Sequence, residues 1–187
     1  MQHESTGRIC EVSESSVSFE SALSRANVPD DVLTEIQQSN LLVIPYTQFR
    51  GKEGAFFPET TREFLDYLRE KSPEDVIPDI MASEDDFNQL ELHSALITVA
   101  SFIVTAIVLP VAVNLVSDFL HDLCQKHSRK PDEISAEVNI YVDMKNKSAL
   151  ITYKGPVSGI SDSLTGAASQ LQIAYNNCDD DTDTSGN

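Results

Sequence analysis

The sequence predicts an α+β fold class: a small N-terminal α/β unit, one long apolar helix that crosses a membrane, and a C-terminal β-hairpin followed by a weak helix. Three observations predict it. Residues 92–117 carry no formal charge when His93 is neutral. Residues 137–144 alternate strictly between apolar and polar side chains, which is typical of a half-buried strand. Residues 61–68 place apolar side chains at helical spacing.

Residues 28–85 form the predicted N-terminal unit, which follows a flexible leader over residues 1–27 that is rich in Ser and Glu. Helix and strand signals alternate along this unit, and a proline at the end of each apolar run weakens both as central strands. The signals are a helix start at Pro29, a strand over residues 41–44, a helix opened by Pro58 and a second extended run at residues 76–77.

The apolar segment predicts a membrane span over residues 94–115, within a long helix over residues 86–127. A bilayer core about 30 Å thick needs roughly 20 helical residues. The twelve strongly apolar residues of the span contribute about −5 kcal/mol to its insertion. The alternative is a helix buried inside an oligomer, because the rest of the chain offers too little surface to cover a helix that is apolar on all sides.

A stripe of small residues inside this segment predicts a helix-contact face. Ser94, Thr98, Ser101 and Thr105 recur at i, i+4, i+7 and i+11, and Ala112 follows seven residues later. Small and hydroxyl residues let helix backbones approach closely in lipid. The face would serve self-association or a partner. The alternative is that the hydroxyls bond back to their own helix carbonyls.

Three basic residues after the span, Lys126, Arg129 and Lys130, bear on its topology. An excess of Lys and Arg marks the cytoplasmic side, so they favour a cytoplasmic C-terminus. That orientation requires export of the preceding segment, and the N-terminus lacks the pattern of a signal peptide. The orientation of the predicted single-pass membrane protein therefore stays open.

Residues 128–175 contain the predicted hairpin and helix. The strands cover residues 137–144 and 149–153, joined by a turn at residues 145–147, and a helix interrupted by Gly166 follows. The acidic tail, residues 176–187, is disordered by composition.

The charge balance excludes nucleic acid as a partner. The chain has 13 Lys and Arg against 30 Asp and Glu, which gives a net charge of −17. No clustered basic face is available to neutralise phosphates. The three cysteines are far apart and form no CxxC pair, which predicts free thiols in a reducing compartment.

No candidate active site stands out, so the sequence predicts no catalytic, cofactor-binding or metal-binding residue. Four potential ligands follow one another at three-residue steps, but on one helix they fan apart instead of converging on one ion: Asp118, His121, Cys124 and His127. Residues 155–159 follow a strand without the spacing of a phosphate-binding loop. Asp79, Asp143 and Lys145 superficially resemble a nuclease set, but the acidic chain does not suit that substrate.

These observations predict a single-pass membrane-anchored accessory or interaction protein without catalytic activity. Its partners would be the lipid bilayer and either further copies of the chain or a membrane or cytoplasmic protein. The alternative is a soluble oligomeric regulatory or interaction protein whose apolar helix is the assembly core.

Overall fold

The computed structural model describes residues 7–92, 95–144 and 146–180, with side chains described up to residue 177 in the last helix. Ten strands and five α-helices lie in this part of the chain. In chain order they are β1 (Ile9–Ser15), α1 (Phe19–Arg25), α2 (Asp30–Ile36), β2 (Leu41–Val43), β3 (Tyr46–Phe49), β4 (Lys52–Pro58), α3 (Thr61–Lys71), β5 (Pro78–Ile80), β6 (Phe87–Leu90), β7 (Ile97–Thr98), β8 (Phe102–Thr105), α4 (Leu109–Lys126), β9 (Ser135–Met144), β10 (Lys147–Pro156) and α5 (Ile160–Asp180).

The main sheet is mixed and has the strand order β1-β10-β9-β8-β2-β5, with the short β7 also paired to β9. Strands β9 and β10 form the hairpin that the alternating pattern predicts, in register from Lys147 opposite Met144 to Pro156 opposite Ser135. Strands β8 and β9 run parallel, joined by the crossover helix α4. The pairs β7–β9 and β2–β5 are also parallel.

Three helices, α3, α4 and α5, pack on one face of this sheet and enclose the main core. The aromatic ring of Phe64 on α3 lies 5.7 Å from that of Phe102 on β8 and 5.0 Å from that of Phe119 on α4. Leu164 of α5 is also fully buried. The sheet and its helices therefore bury a continuous apolar layer of their own.

The predicted membrane span is wrong, because the apolar segment divides into strands and a helix of this core. Strand β8 lies between β9 and β2, so its side chains are buried on both faces, and Phe102, Ile103 and Val104 are 0% exposed. Such a strand is apolar throughout, as a membrane helix is. Among the described residues, no helix combines the length and apolar composition needed to cross a bilayer. The predicted fold class and the predicted single-pass membrane localisation depended on this span and are therefore also wrong.

The alternative, an oligomeric regulatory or interaction protein, agrees with this structure better than the membrane-anchored prediction does, although the apolar helix is covered within its own chain. Helix α4 begins only at Leu109, with Pro110 in its first turn, where a missing N–H costs no helical hydrogen bond. Pro110, Asn114, Asp118 and Asp122 follow each other at four-residue steps and are exposed. The opposite side of α4 is buried against the chain's own sheet and helices. No second copy is needed to cover it.

Part of the predicted flexible leader is ordered. Residues 9–15 form β1, which pairs with β10 over seven residues from Ile9 opposite Lys154 to Ser15 opposite Ser148. Ser18 then caps α1, with reciprocal hydrogen bonds between Ser18 and Ser21. Strand β1 is an edge strand with exposed side chains on both faces, so its sequence lacks the apolar alternation of a buried strand.

The smaller sheet has the order β3-β4-β6. Arg50 and Gly51 join β3 to β4 with positive φ angles of 50° and 78°, which two-residue hairpin turns require. The ring of Phe57 on β4 stacks on that of Phe87 on β6, with centroids 4.8 Å apart.

Candidate functional site

The candidate site lies where the parallel strands β8 and β9 end. Thr105, the last residue of β8, is in register with Asp143 near the end of β9. Ligands of α/β proteins commonly bind beside the carboxyl ends of parallel strands. A groove of about 530 Å³ opens at this position. We call it the end groove, and its lining residues are Phe19, Leu23, Gln37, Ser39, Thr105, Ala106, Ile107, Asp143, Met144 and Tyr175.

Apolar side chains from three parts of the chain form most of the groove wall. Phe19 and Leu23 come from successive turns of α1, Met144 comes from the end of β9, and Tyr175 comes from the last part of α5. Helix α5 brings its apolar stripe to this end of the sheet, because Tyr175 lies one turn after the buried Leu171. The groove therefore exposes an apolar surface that continues the core.

Ile107 stands at the edge of this surface and is 80% exposed, while its neighbours Ala106 and Val108 are 7% and 6% exposed. The connection from β8 to α4 causes the difference. The Val108 N–H donates to the Thr105 carbonyl at 3.1 Å, and the resulting tight turn leaves Ile107 on the outside. Single exposed apolar residues are common on protein surfaces. Here the exposed residue belongs to a groove whose other walls are apolar.

Asp143 supplies the one carboxylate among the described residues that line the end groove. Its Oδ2 accepts a hydrogen bond from the Phe19 backbone N–H at 2.8 Å. Its backbone carbonyl accepts one from the Ala106 N–H at 3.2 Å. Within the described part of the chain, the second carboxylate oxygen accepts no hydrogen bond. Asp143 thus holds the start of α1 and places a carboxylate in the groove.

The predicted helix-contact face does not form, because its residues do not share one helix. Thr98 lies on β7, Ser101 in the following loop, Thr105 on β8 and Ala112 on α4, while Ser94 lies outside the described residues. The described positions are accounted for by contacts and burial within the chain. The Thr60 hydroxyl donates to the Thr98 carbonyl at 2.8 Å, and Ala112 is 1% exposed. Thr105 is the member of this set that lines the end groove.

Ser101 contacts a tyrosine on the face of the sheet that the three core helices leave free. Its side chain forms a hydrogen bond with that of Tyr46. Burial raises the pKa of Tyr46, and the nearby Glu137 carboxylate raises it further. Further along this face, Thr152 donates to Asn139 at 3.1 Å and Lys154 lies 3.9 Å from Glu137. These polar groups satisfy one another.

The three predicted topology charges lose that role, because no described helix spans a membrane. Lys126 ends α4 and pairs with Glu63 of α3. Lys130 pairs with Glu133 at 3.1 Å. The Arg129 N–H donates to the Cys124 carbonyl at 2.8 Å, beyond the end of the helix.

The potential metal ligands on α4 face different surroundings. Asp118 is exposed, His121 contacts the Ser117 carbonyl through Nδ1 at 2.8 Å, and Cys124 is 1% exposed in the core. The nuclease-like acids are also apart. Asp79 lies on β5 and Asp143 on β9, with β2 and β8 between them, which separates their strands by about 14 Å.

The turn after β10 holds the N-terminal segment in place. A Cβ atom on Gly155 would lie 3.1 Å from Arg8 Cγ and from the Tyr153 hydroxyl, and one on Gly159 would lie 3.0 Å from an Arg8 nitrogen. The Tyr153 hydroxyl also donates to the Pro156 carbonyl at 2.5 Å. The glycines therefore make room for Arg8.

A second cavity, of about 230 Å³, lies between α3 and α4. We call it the acidic cleft, and its lining residues are Glu63, Asp66, Tyr67, Glu70, Phe119, Asp122, Leu123 and Lys126. The rings of Tyr67 and Phe119 lie 5.5 Å apart. Burial raises the pKa of Tyr67, and Asp122 and Asp118 raise it further.

A third cavity, of about 280 Å³, is lined by two arginines whose charges are already engaged. The Arg62 guanidinium lies 4.3 Å from the centroid of the Phe87 ring. Arg69 lies 3.6 Å from the Asp79 carboxylate. Glu35, Asp79 and Glu84 also line this cavity, so its three acids outnumber its two arginines and it does not resemble an anion site.

Comparisons with known proteins give no further guide. The chain matches no protein-family model, no curated protein and no solved structure. The function is therefore argued from the groove itself.

The end groove was missed by sequence reasoning because it depends on contacts between distant segments. Its walls come from α1, β8, β9 and α5, and Phe19 and Asp143 are 124 residues apart in the sequence. One signal was available. Ile107 is followed by Val108, Leu109 and Pro110, and a proline at this position is typical of a helix start. That boundary would have placed Ile107 in a connection.

Proposed function

We propose that this protein is a non-catalytic interaction protein that binds a polypeptide partner in the end groove. The observation that carries the proposal is Ile107, which is 80% exposed at the edge of an open groove with apolar walls. Exposed apolar surface of this kind marks interaction sites when it is contiguous. Phe19, Leu23, Met144 and Tyr175 supply that continuity.

The shape of the groove favours a polypeptide over a small molecule. Small-molecule sites usually bury most of the surface of their ligand. The end groove is open to solvent, and Ile107 projects at its edge. A partner that presents several side chains from a continuous surface would cover both features. This is the arrangement in which interfaces place a few buried anchor residues at their centre.

The chemistry of the groove favours binding over catalysis. Its described lining residues include one carboxylate and no histidine, cysteine or lysine. Proton transfer or nucleophilic attack requires a base or nucleophile that a neighbouring group orients. Asp143 instead accepts a backbone hydrogen bond from Phe19 and so supports the wall of the groove.

Selection from a displayed peptide library tests this proposal. The wild-type protein should enrich a set of related peptides, and Ile107→Asp should abolish that enrichment. Ile173→Asp is the matched control, because Ile173 is 62% exposed on α5 but does not line the groove. It makes the same change in charge and apolar surface at the same end of the molecule and should leave the enrichment intact.

Two outcomes would contradict the proposal. If no peptide is enriched, or if both variants lose the same peptides, the groove does not bind polypeptides specifically. A second copy of the chain is the competing occupant. It would appear as a dimer of the wild-type protein in sedimentation experiments that Ile107→Asp, but not Ile173→Asp, converts to a monomer.

A further inference from the structure

The end groove combines apolar walls with negative charge, and this combination narrows the class of partner. We infer that the occupant is a basic amphipathic helix, which lays apolar side chains against the groove wall and places a lysine or arginine at Asp143. The inference rests on the proposed function and adds the conformation and charge of the partner.

The strands at the groove favour a helical occupant over an added strand. Strand addition needs an open sheet edge with free backbone groups. Strand β8 lies between β9 and β2, and β9 lies between β10 and β8, so both are paired on each side. Where they end, the Ala106 N–H donates to the Asp143 carbonyl and the Thr105 N–H to the Asn40 carbonyl. A helix whose apolar face packs into a groove fits these apolar walls.

Helix α1 forms part of this surface. Helix α1 presents Phe19 and Leu23, four residues apart, to the groove. Residues at this spacing lie on one face of a helix. Met144 contributes a flexible side chain to the opposing wall, and methionine adapts well to varied apolar partners. A second helix would continue the packing across Ile107.

The charge around the groove favours a basic partner. Asp143 is the charged side chain among the described residues that line the groove, and Glu20 is exposed beside Phe19 in the first turn of α1. Lys147 lies opposite Met144 in the hairpin but does not line the groove, and Lys145 of the same turn lies outside the described residues. The net charge of −17 would also attract a basic segment over a longer range.

Residues 181–187, DTDTSGN, are acidic and have no apolar side chain, so this segment does not suit an apolar groove that is lined by a carboxylate. A basic segment of another polypeptide suits it better.

Binding of three synthetic peptides to the full chain tests the inference by fluorescence anisotropy. The probe is a peptide of about 18 residues, five helical turns, with leucine at i, i+3, i+4 and i+7 and lysine elsewhere. One control has the same composition in scrambled order, and the other replaces lysine with glutamine. The leucine–lysine helix should bind at least tenfold more tightly than either control, and added salt should weaken its binding.

Variants of the protein locate that binding. Ile107→Asp should weaken the leucine–lysine helix about tenfold or more, although it makes the protein more acidic. Ile173→Asp adds the same charge outside the groove and should leave affinity unchanged, so it separates groove binding from general attraction. Asp143→Asn keeps an acceptor for the Phe19 N–H and should weaken the lysine peptide about threefold without affecting the glutamine peptide.

The possible failures are distinguishable. Equal affinity for the lysine and glutamine helices would overturn the basic character of the partner and leave groove binding intact. Equal affinity for the scrambled peptide would overturn the helical mode. If Ile107→Asp has no effect on any peptide, the inference fails, and the library selection then decides whether the proposed function fails with it.

Discussion

The backbone N–H of Phe19 donates a hydrogen bond to Oδ2 of Asp143 at 2.8 Å, across 124 residues of sequence. This bond ties the start of α1 to the end of β9. It also sets one wall of the end groove, since Phe19 and Leu23 of α1 both line it. Asp143 therefore shapes the groove as well as charging it.

Removing this bond should loosen α1. Asp143→Ala leaves the Phe19 N–H without its acceptor and should lower the free energy of unfolding by about 1 kcal/mol. Asp143→Asn retains an acceptor oxygen and should cost less. Urea denaturation measures the difference, and hydrogen exchange should show faster exchange over residues 19–25 in the alanine variant alone. Equal exchange in both variants would contradict the role of Asp143 in holding α1.

Phe102 and Ile107 should differ sharply in their contribution to stability. Phe102 is 0% exposed and contacts Phe64, whereas Ile107 is 80% exposed. Phe102→Ala should therefore destabilise the protein by about 3–5 kcal/mol, and Ile107→Ala by less than about 0.5 kcal/mol. Chemical denaturation of both variants gives the comparison. Similar losses in the free energy of unfolding would argue against the strand and the connection described for residues 102–108.

The sequence predicts those helices and strands in which apolar side chains recur at the spacing that is typical of a helix or a strand. The hairpin of β9 and β10 follows from alternation over residues 137–144, because one face of that pair is buried and the other half-exposed. Helix α3 follows from apolar residues at helical spacing, with Phe64, Leu65 and Leu68 buried.

The membrane span was wrongly predicted because the apolar segment shows neither helical nor strand periodicity. Residues 97–105 form the short β7, a buried connection and β8, and a strand such as β8 that is buried on both faces has the same continuous apolar composition as a membrane helix. The sequence does contain evidence against a membrane helix. Asn114, Asp118 and Asp122 form an exposed stripe that gives α4 a polar side.

The end groove could not be predicted once β8 was assigned to a helix. Asp143 gains its position because β9 runs parallel to β8, and neither the partner strand nor its direction can be read from residues 137–144 alone. Strand β1 was missed for another reason. At the edge of the sheet its side chains are exposed on both faces, so burial imposes no pattern on the sequence.

Two glycines should respond oppositely to alanine. At Gly155 a Cβ would lie 3.1 Å from Arg8 Cγ and from the Tyr153 hydroxyl, so Gly155→Ala should destabilise the protein by about 1–3 kcal/mol. Gly166 lies within α5 with nothing within 4 Å of its Cβ position. Gly166→Ala should stabilise it by about 0.5–1 kcal/mol through helix propensity. Thermal unfolding of both variants measures these changes. A change opposite to the expected one would contradict the environment described for that glycine.

Alkaline pH should destabilise the fold through tyrosine. Burial raises the pKa of Tyr46, Tyr67 and Tyr153 in the folded state. Their contribution to stability is therefore fully present below the unfolded pKa of about 10 and is lost as pH rises through the folded values. Denaturation experiments at increasing pH across this range should show a steady decline in the free energy of unfolding.

A Tyr153→Phe variant isolates one contribution to that decline. The change removes the hydroxyl that donates to the Pro156 carbonyl, so it should cost about 1 kcal/mol at neutral pH. The variant should then lose less stability than the wild type above about pH 10, because one raised pKa is gone. An unchanged alkaline decline would contradict the burial of this phenol.

Mapping the bound leucine–lysine helix by nuclear magnetic resonance tests the central claim most directly. Titrating the isotopically labelled chain with this peptide shows which backbone amides change their environment. The end groove predicts the largest changes at residues 19–23, 105–108, 143–144 and 175. The largest changes along residues 63–70 and 118–126, the two sides of the acidic cleft, would instead show binding by charge at another site and would contradict the proposal that the end groove is the interaction surface.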